Sequence, residues 1–223
     1  MSYVFLALFA AASLVHLYHS WLNDRKKRAV TKPLLLLFLT LYYCTSAASV
    51  NVFLLLALVT SWLGDVLLIP TGHKWFTIGG ISFLLSHVFF IGAYFRNIDF
   101  SQVRWVIVAP LAVLYVSISI LIIRAVRDNT PKSMVLPMNF YLFCNSAMNI
   151  FALMQLMSYQ SLGGWLAVLG AGLFFASDCS LFLVRYHAKP DVIFKKHFTV
   201  MLTYLLGEFL IVQGMLELLG KKL

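Results

Sequence analysis

Charge is what this sequence has least of. Asp, Glu, Lys and Arg make up 11% of its 223 residues, where a soluble domain carries about 25%. No ordinary soluble surface can be built from that supply. Acidic groups are scarcest, 8 against 17 Lys and Arg. Cysteine is nearly absent as well: Cys44, Cys144 and Cys179 are odd in number and all lie in apolar runs, which argues for free thiols and against a disulfide framework or a zinc ribbon. The first apolar stretch lacks a basic leader and a small-residue cleavage site, so it is expected to be a retained helix rather than a signal peptide. The net charge of +9 could suggest nucleic acid, but no soluble basic surface exists to carry it. Membrane topology and anionic lipid headgroups explain it better.

What is there is hydrocarbon. Apolar residues make up 61% of the chain and its mean hydropathy is +0.89, the signature of an all-α, polytopic membrane protein. About eight transmembrane helices in one bundle are expected, at 2–22, 33–50, 52–70, 77–95, 105–123, 134–156, 165–184 and 198–218. They leave no room for a separate soluble domain, so residues 1–223 form one membrane domain. Pro33 suits the first turn of the second span, where a missing N–H costs nothing. Of the Lys and Arg residues, 13 fall in the first, third, fifth and seventh loops and 4 on the opposite face. The positive-inside rule then puts both termini outside the cytoplasm, in the inner membrane of a bacterial cell.

Against this background two carboxylates stand out. Gly64-Asp65-Val-Leu-Leu in span three and Ser177-Asp178-Cys-Ser-Leu in span seven are the places where the apolar runs are broken. A charged side chain at membrane depth costs at least about 2.5–3.5 kcal/mol, so it is normally there for function. Both spans run toward the cytoplasm, and each Asp lies five or six residues before the span's end, roughly 8 Å inside. A purely structural role would require a cationic partner, and no span has a Lys or Arg near its middle. The pair is therefore read as catalytic.

Other polar residues have a blander alternative. Phe83, His87, Phe90 and Tyr94 share one helical face, but a lone intramembrane His is more often interhelical glue. Tyr141, Asn145 and Asn149 form a stripe at successive turns, read mostly as packing or cavity lining. Tyr204 and Glu208 are one turn apart in the last span. His16 and His19 lie near a span end and can snorkel. Lys32 stands at the cytoplasmic mouth of span two.

Two carboxylates and a His in a low-dielectric cavity suit general acid–base work, because close like charges do not readily ionise together and one can hold a proton beside an ionised neighbour. Intramembrane serine proteases need a Ser–His pair on one face, and the adjacent Ser86 and His87 point apart. Aspartyl intramembrane proteases carry Gly-x-Gly-Asp, but Trp62-Leu-Gly64-Asp65 lacks the first glycine. A zinc site from His16, His19 and His87 is disfavoured by the lack of any His-x-x-x-His pair; neither metal nor cofactor is expected. A proton-coupled transporter or lipid-binding protein would use the same aspartates as a relay, but Pro110 and Pro137 lie beside neither.

In these pieces the chain resembles the YhhN-type family of membrane lysoplasmalogenases. The resemblance rests on Lys32-Pro33, Gly64-Asp65-Val-Leu-Leu, Phe83 with His87, Tyr141, Gly170-Ala-x-x-Phe174-x-x-Ser177-Asp178, and Tyr204. Glu208 stands where the family usually has Gln, and Phe90 where it often has Tyr. The resemblance implies hydrolysis of the vinyl ether of a lysophospholipid that enters from the bilayer. Asp65 and Asp178 would be the acid–base pair, with His87, Tyr141, Tyr204 and Glu208 lining the site and Lys32 meeting the phosphate.

Overall fold

The computed structural model describes residues 2–189 and 191–220. Among them all eight expected helices form: α1 (Ser2–Trp21), α2 (Arg25–Ser46), α3 (Val52–Leu67), α4 (His73–Phe95), α5 (Trp105–Val126), α6 (Lys132–Tyr159), α7 (Leu162–Tyr186) and α8 (His197–Leu219). Seven are long and apolar enough to cross a membrane. The exception is α3, whose 16 residues span about 24 Å, short of the roughly 30 Å hydrocarbon core. Lys221 and Lys222, counted above in the charge asymmetry, lie outside the described residues.

Caps set the starts. Asp24 accepts from the Lys27 amide at the head of α2, Asn51 from the Phe53 and Leu54 amides at the head of α3, and Ser161 from the Gly164 amide at the head of α7; each occupies an orphan donor of the first turn. The first of these corrects the sequence reading. The Asp24 cap starts α2 at Arg25 rather than at 33, so Pro33 lies inside the helix and Lys32 about 10 Å along it. The third span is corrected too: α3 ends at Leu67, not 70. Asp65 is therefore in its last turn, while Asp178 is two turns inside α7, and the equal spacing from span ends does not survive.

Neighbouring helices pack as a closed ring in the order α1, α2, α3, α4, α6, α7, α8 and back to α1, with α5 outside against α6 and α7. Consistent with a lipid-facing position, α5 exposes Val106, Val113 and Leu121. The tightest joint is between α7 and α8. A Cβ on Gly170 would lie 2.6 Å from the Gly207 carbonyl oxygen, and one on Gly163 would lie 2.6 Å from that of Gly214. These pairs, seven residues apart on each helix, let the two backbones touch, as small residues do where helices meet in lipid. Just beyond them Ser177 donates to the Val200 carbonyl at 2.9 Å, which fixes Asp178, the next residue, against α8.

Joints around Asp65 are equally specific. Trp62 donates its indole N–H to the Pro33 carbonyl at 2.8 Å, setting α3 against α2 so that Asp65 meets Lys32. On the other side Ser82 donates to the Thr60 carbonyl at 2.7 Å and Ser61 to Ser86 at 2.9 Å. The Phe83 ring lies where a Cβ of Gly64 would be, at 2.6 Å. Glycine before the aspartate thus serves close approach by an aromatic ring.

Candidate functional site

These joints enclose a cavity of about 350 Å³ lined by Asp65, Asp178, Tyr204, Phe83, Lys32 and residues of α1, α2, α4, α7 and α8. It reaches the end of the bundle formed by the first turns of α2 and α8 and the connection 68–72. Both aspartates are buried, 1% and 5% exposed.

Each carboxylate has its own set of partners. Asp65 Oδ1 lies 3.1 Å from Lys32 Nζ, and Oδ2 accepts the Tyr204 hydroxyl at 2.9 Å. This corrects the expectation that the aspartates lack a cationic partner: because α2 begins eight residues early, Lys32 lies inside a helix long and apolar enough to cross a membrane and is the counter-ion of Asp65. Asp178 Oδ2 accepts from the Asn145 side chain at 2.7 Å and lies 3.3 Å from His87 Nε2. Tyr141 lies beside Asp178. Asn149 in turn donates to the Asn145 side-chain oxygen at 3.2 Å, so the amide is held in the orientation that points its NH₂ at the carboxylate. The His87 ring is clasped by Tyr141 and Phe174, each with its centroid 5.0 Å away. Tyr204, 5.3 Å from Phe174 and 5.8 Å from Phe83, stands between the two clusters.

Asp65, Asp178, Lys32, His87, Tyr141, Tyr204 and Glu208, the residues expected to form the site, are therefore in or beside one place. Glu208 is the outlier in character. It is fully buried one turn deeper than Tyr204, and neither oxygen makes a well-formed hydrogen bond. Ser61 lies close by, but its hydroxyl proton goes to Ser86. Both ring nitrogens of His87 and the Tyr94 hydroxyl, all buried, also make no hydrogen bond, Nε2 having only its 3.3 Å approach to Asp178. These unpaired polar groups lie in the interior of the bundle, an environment that suits ordered water.

Several site residues were undervalued or missed. Asn145 belonged to a stripe read as packing, yet it makes the shortest contact to Asp178. The signal was its position one turn after Tyr141. His16 does not snorkel: it is 1% exposed, lines the cavity and bonds Thr31 at 2.7 Å. Arg25, Arg28, Arg185 and His197 line the mouth, though the sequence offered the first two only as a topology signal. Among the described residues none of these arginines pairs with a carboxylate. Arg25 reaches the Ile69 carbonyl at 3.5 Å, Arg28 reaches Asn23 at 3.4 Å with its Nε buried and unpartnered, and Arg185 stacks on Phe76 at 3.7 Å. With Lys32 matched to Asp65, the mouth keeps an excess of guanidinium charge, the group best suited to bind phosphate.

Among the described residues no three His, Cys, Asp or Glu side chains are grouped to hold a metal ion. A model of the YhhN family matches residues 27–215. No curated protein and no solved structure matches the chain.

Proposed function

The chain belongs to the YhhN family, and from that premise we propose that it hydrolyses the vinyl ether bond of a lysoplasmalogen to a fatty aldehyde and a glycerophospho-alcohol. The observation that carries this reading is the pair of buried aspartates on α3 and α7 facing one cavity. A vinyl ether is cleaved by protonating the carbon β to its oxygen. The resulting oxocarbenium ion takes up water, loses a proton, and the hemiacetal collapses to aldehyde and alcohol. Two carboxyl groups, one giving the proton and one facing the cation and its attacking water, are the inventory also used on glycosidic bonds.

Their partners suggest which does what. Asp65, with an ammonium on one oxygen and a phenol O–H on the other, is placed as the carboxylate that faces the oxocarbenium ion and guides water. Asp178 delivers the proton, oriented by Asn145 and His87. Tyr204 and Tyr141 border the reacting carbons from opposite sides. Lys32 shares its ammonium with Asp65, so the phosphate is assigned mainly to Arg28, one turn nearer the mouth, with Arg25 and Arg185. The lipid's headgroup would then lie at the basic end of the bundle, the cytoplasmic side by the positive-inside rule, with both termini on the other face of a bacterial inner membrane. Reporter fusions after Lys27 and at Leu223 should give opposite signals; equal signals would remove that orientation.

The deciding experiment is mass spectrometry of purified protein incubated with lysolipids bearing a vinyl ether, an ester or an alkyl ether. Loss of the vinyl ether lipid alone, with aldehyde formed in equal amount and no ion gradient present, is the expected result. Absence of aldehyde would favour the reading of the same aspartates as a proton relay in a transporter or lipid-binding protein.

A further inference from the structure

A second cavity opens beside the first. It lies between α4 and α6, has a volume of about 240 Å³ and is lined almost wholly by apolar groups, among them Ile81, Leu84, Met134, Met138 and Phe140. Leu68, Phe76, Phe83 and Leu181 line both cavities, so the two share one wall. Tyr141 lines the crevice, and its ring packs on His87, which lies 3.3 Å from Asp178. The inner end of the crevice is therefore close to the second aspartate. At its outer edge Ile81 and Phe140 are 51% and 63% exposed on helices whose outer faces meet lipid.

The sequence keeps this space empty. Gly80 lines it, and a Cβ there would meet nothing within 4 Å, in contrast to the packed glycines of α7 and α8. Pro137 lines the opposite wall inside α6, where it lacks the N–H that would close a helical hydrogen bond. Met134 and Met138 supply flexible, polarizable side chains that conform to a chain of varying shape. The Thr77 hydroxyl, which donates to the His73 carbonyl at 2.9 Å, lies 3.3 Å from Met134 Sδ across the crevice.

We propose that the α4–α6 crevice is the site of the substrate's hydrocarbon chain and its entry from the bilayer, and that Gly80 sets how much chain it accepts. The inference rests on reading the aspartate cavity as the reaction centre. For a lipid with its anionic headgroup at the arginines and its reacting bond at the aspartates, this crevice is an apolar exit for its chain. Its volume of about 240 Å³ suits one chain rather than two.

The test separates binding from turnover. A single-chain ether phospholipid that carries a photoreactive diazirine midway along its saturated chain, and so cannot be hydrolysed, is irradiated with the purified protein. The expected cross-links lie within residues 76–84 and 134–141, and they should be lost in Gly80→Leu. Labelling spread over the lipid face of α5, or unchanged in Gly80→Leu, would overturn the assignment. On vinyl ether substrates, Gly80→Leu should lower kcat/KM for the longest chains by at least about tenfold, the scale of a few methylenes in an apolar pocket, and leave the shortest chain nearly unaffected. Gly80→Ala should show a smaller loss of the same kind, and equal thermal stability of the three proteins excludes misfolding as the cause. A uniform loss across chain lengths would refute a chain site. Absence of turnover with any substrate, alongside crevice labelling lost in Gly80→Leu, would sink the proposed hydrolysis and leave the chain site standing.

Discussion

Lys32 and Asp65 form an ion pair of 3.1 Å between α2 and α3, with side chains 16% and 2% exposed. Such a pair is not in itself a stabilising feature, because desolvation offsets much of the attraction. Its asymmetry is what matters: removing either partner strands the other. Lys32 is thus both the structural counter-ion that the sequence seemed to lack and part of the site's electrostatics.

The pair makes a stability prediction. Lys32→Met should lower stability by about 3 kcal/mol, the low end for breaking a buried pair, because Lys32 keeps some contact with the cavity. Asp65→Asn should destabilise to a similar degree. The double variant should recover most of that loss, since no charge is left unpaired. Thermal unfolding of the four proteins in one detergent checks it, and purely additive losses would show that the two groups do not act on each other.

Asn145 carries a prediction of another kind. Its amide donates to Asp178 at 2.7 Å and is itself oriented by Asn149. Asn145→Leu should cut turnover by about ten- to a hundredfold, the range for a group that supports acid–base transfer rather than performing it. Because it leaves a buried carboxyl short of a donor, melting should fall as well, by about 1–3 kcal/mol. Asn149→Leu should show a weaker form of both effects. Turnover at the parent's rate in Asn145→Leu would return the stripe to the packing role first read from the sequence.

Glu208 is one turn below Tyr204, fully buried, with no well-formed hydrogen bond to its carboxyl group. Glu208→Gln keeps the shape and removes the ionisable group. It should retain turnover within about tenfold of the parent and change the pH dependence of kcat, since charges near an acid–base pair alter its titration. An unchanged pH profile would separate Glu208 electrically from the aspartates. Complete loss of turnover in folded protein would instead make it a third member of the reacting set.

How far the sequence reaches is clearest from α2. The number of helices, their apolar faces and the isolation of Asp65 and Asp178 follow from hydropathy and period, which are local properties of the chain. The start of α2 does not, because Arg25-Lys-Lys-Arg28 reads as a polar loop to any hydropathy window. One side-chain cap, Asp24 on the Lys27 amide, extends the helix through it. That shift turns Lys32 from a surface lysine into the partner of Asp65. Asn145 was visible in a periodic stripe, but which face of α6 meets Asp178 depends on helix order. The chain skips α5 and sets α6 beside α4, and that order is decided by packing across the bundle. The crevice at Gly80 was invisible for a related reason: a glycine looks alike in sequence whether it allows two backbones to touch, as Gly170 does, or leaves a space open.

The aspartate pair itself gives the sharpest prediction. Asp65→Asn and Asp178→Asn should each lower turnover by at least about a hundredfold, the usual scale for removing a general acid or base. The double variant should be little slower than either single one, since groups that act as a unit are grossly non-additive. Stability should distinguish the two positions. Asp178→Asn replaces a carboxyl held by the Asn145 amide with an amide of the same shape, strands no cation and should melt close to the parent. Asp65→Asn leaves Lys32 unpaired and should melt lower. Adding Lys32→Met to Asp65→Asn then becomes the decisive control, because it restores stability without restoring a carboxylate. If that double variant regains turnover, Asp65 served only to hold Lys32. If it is stable and inactive, the carboxylate of Asp65 belongs to the chemistry. Rates and melting temperatures measured on the same preparations decide it, and turnover within a few fold of the parent for either single aspartate variant would remove that residue from the catalytic pair.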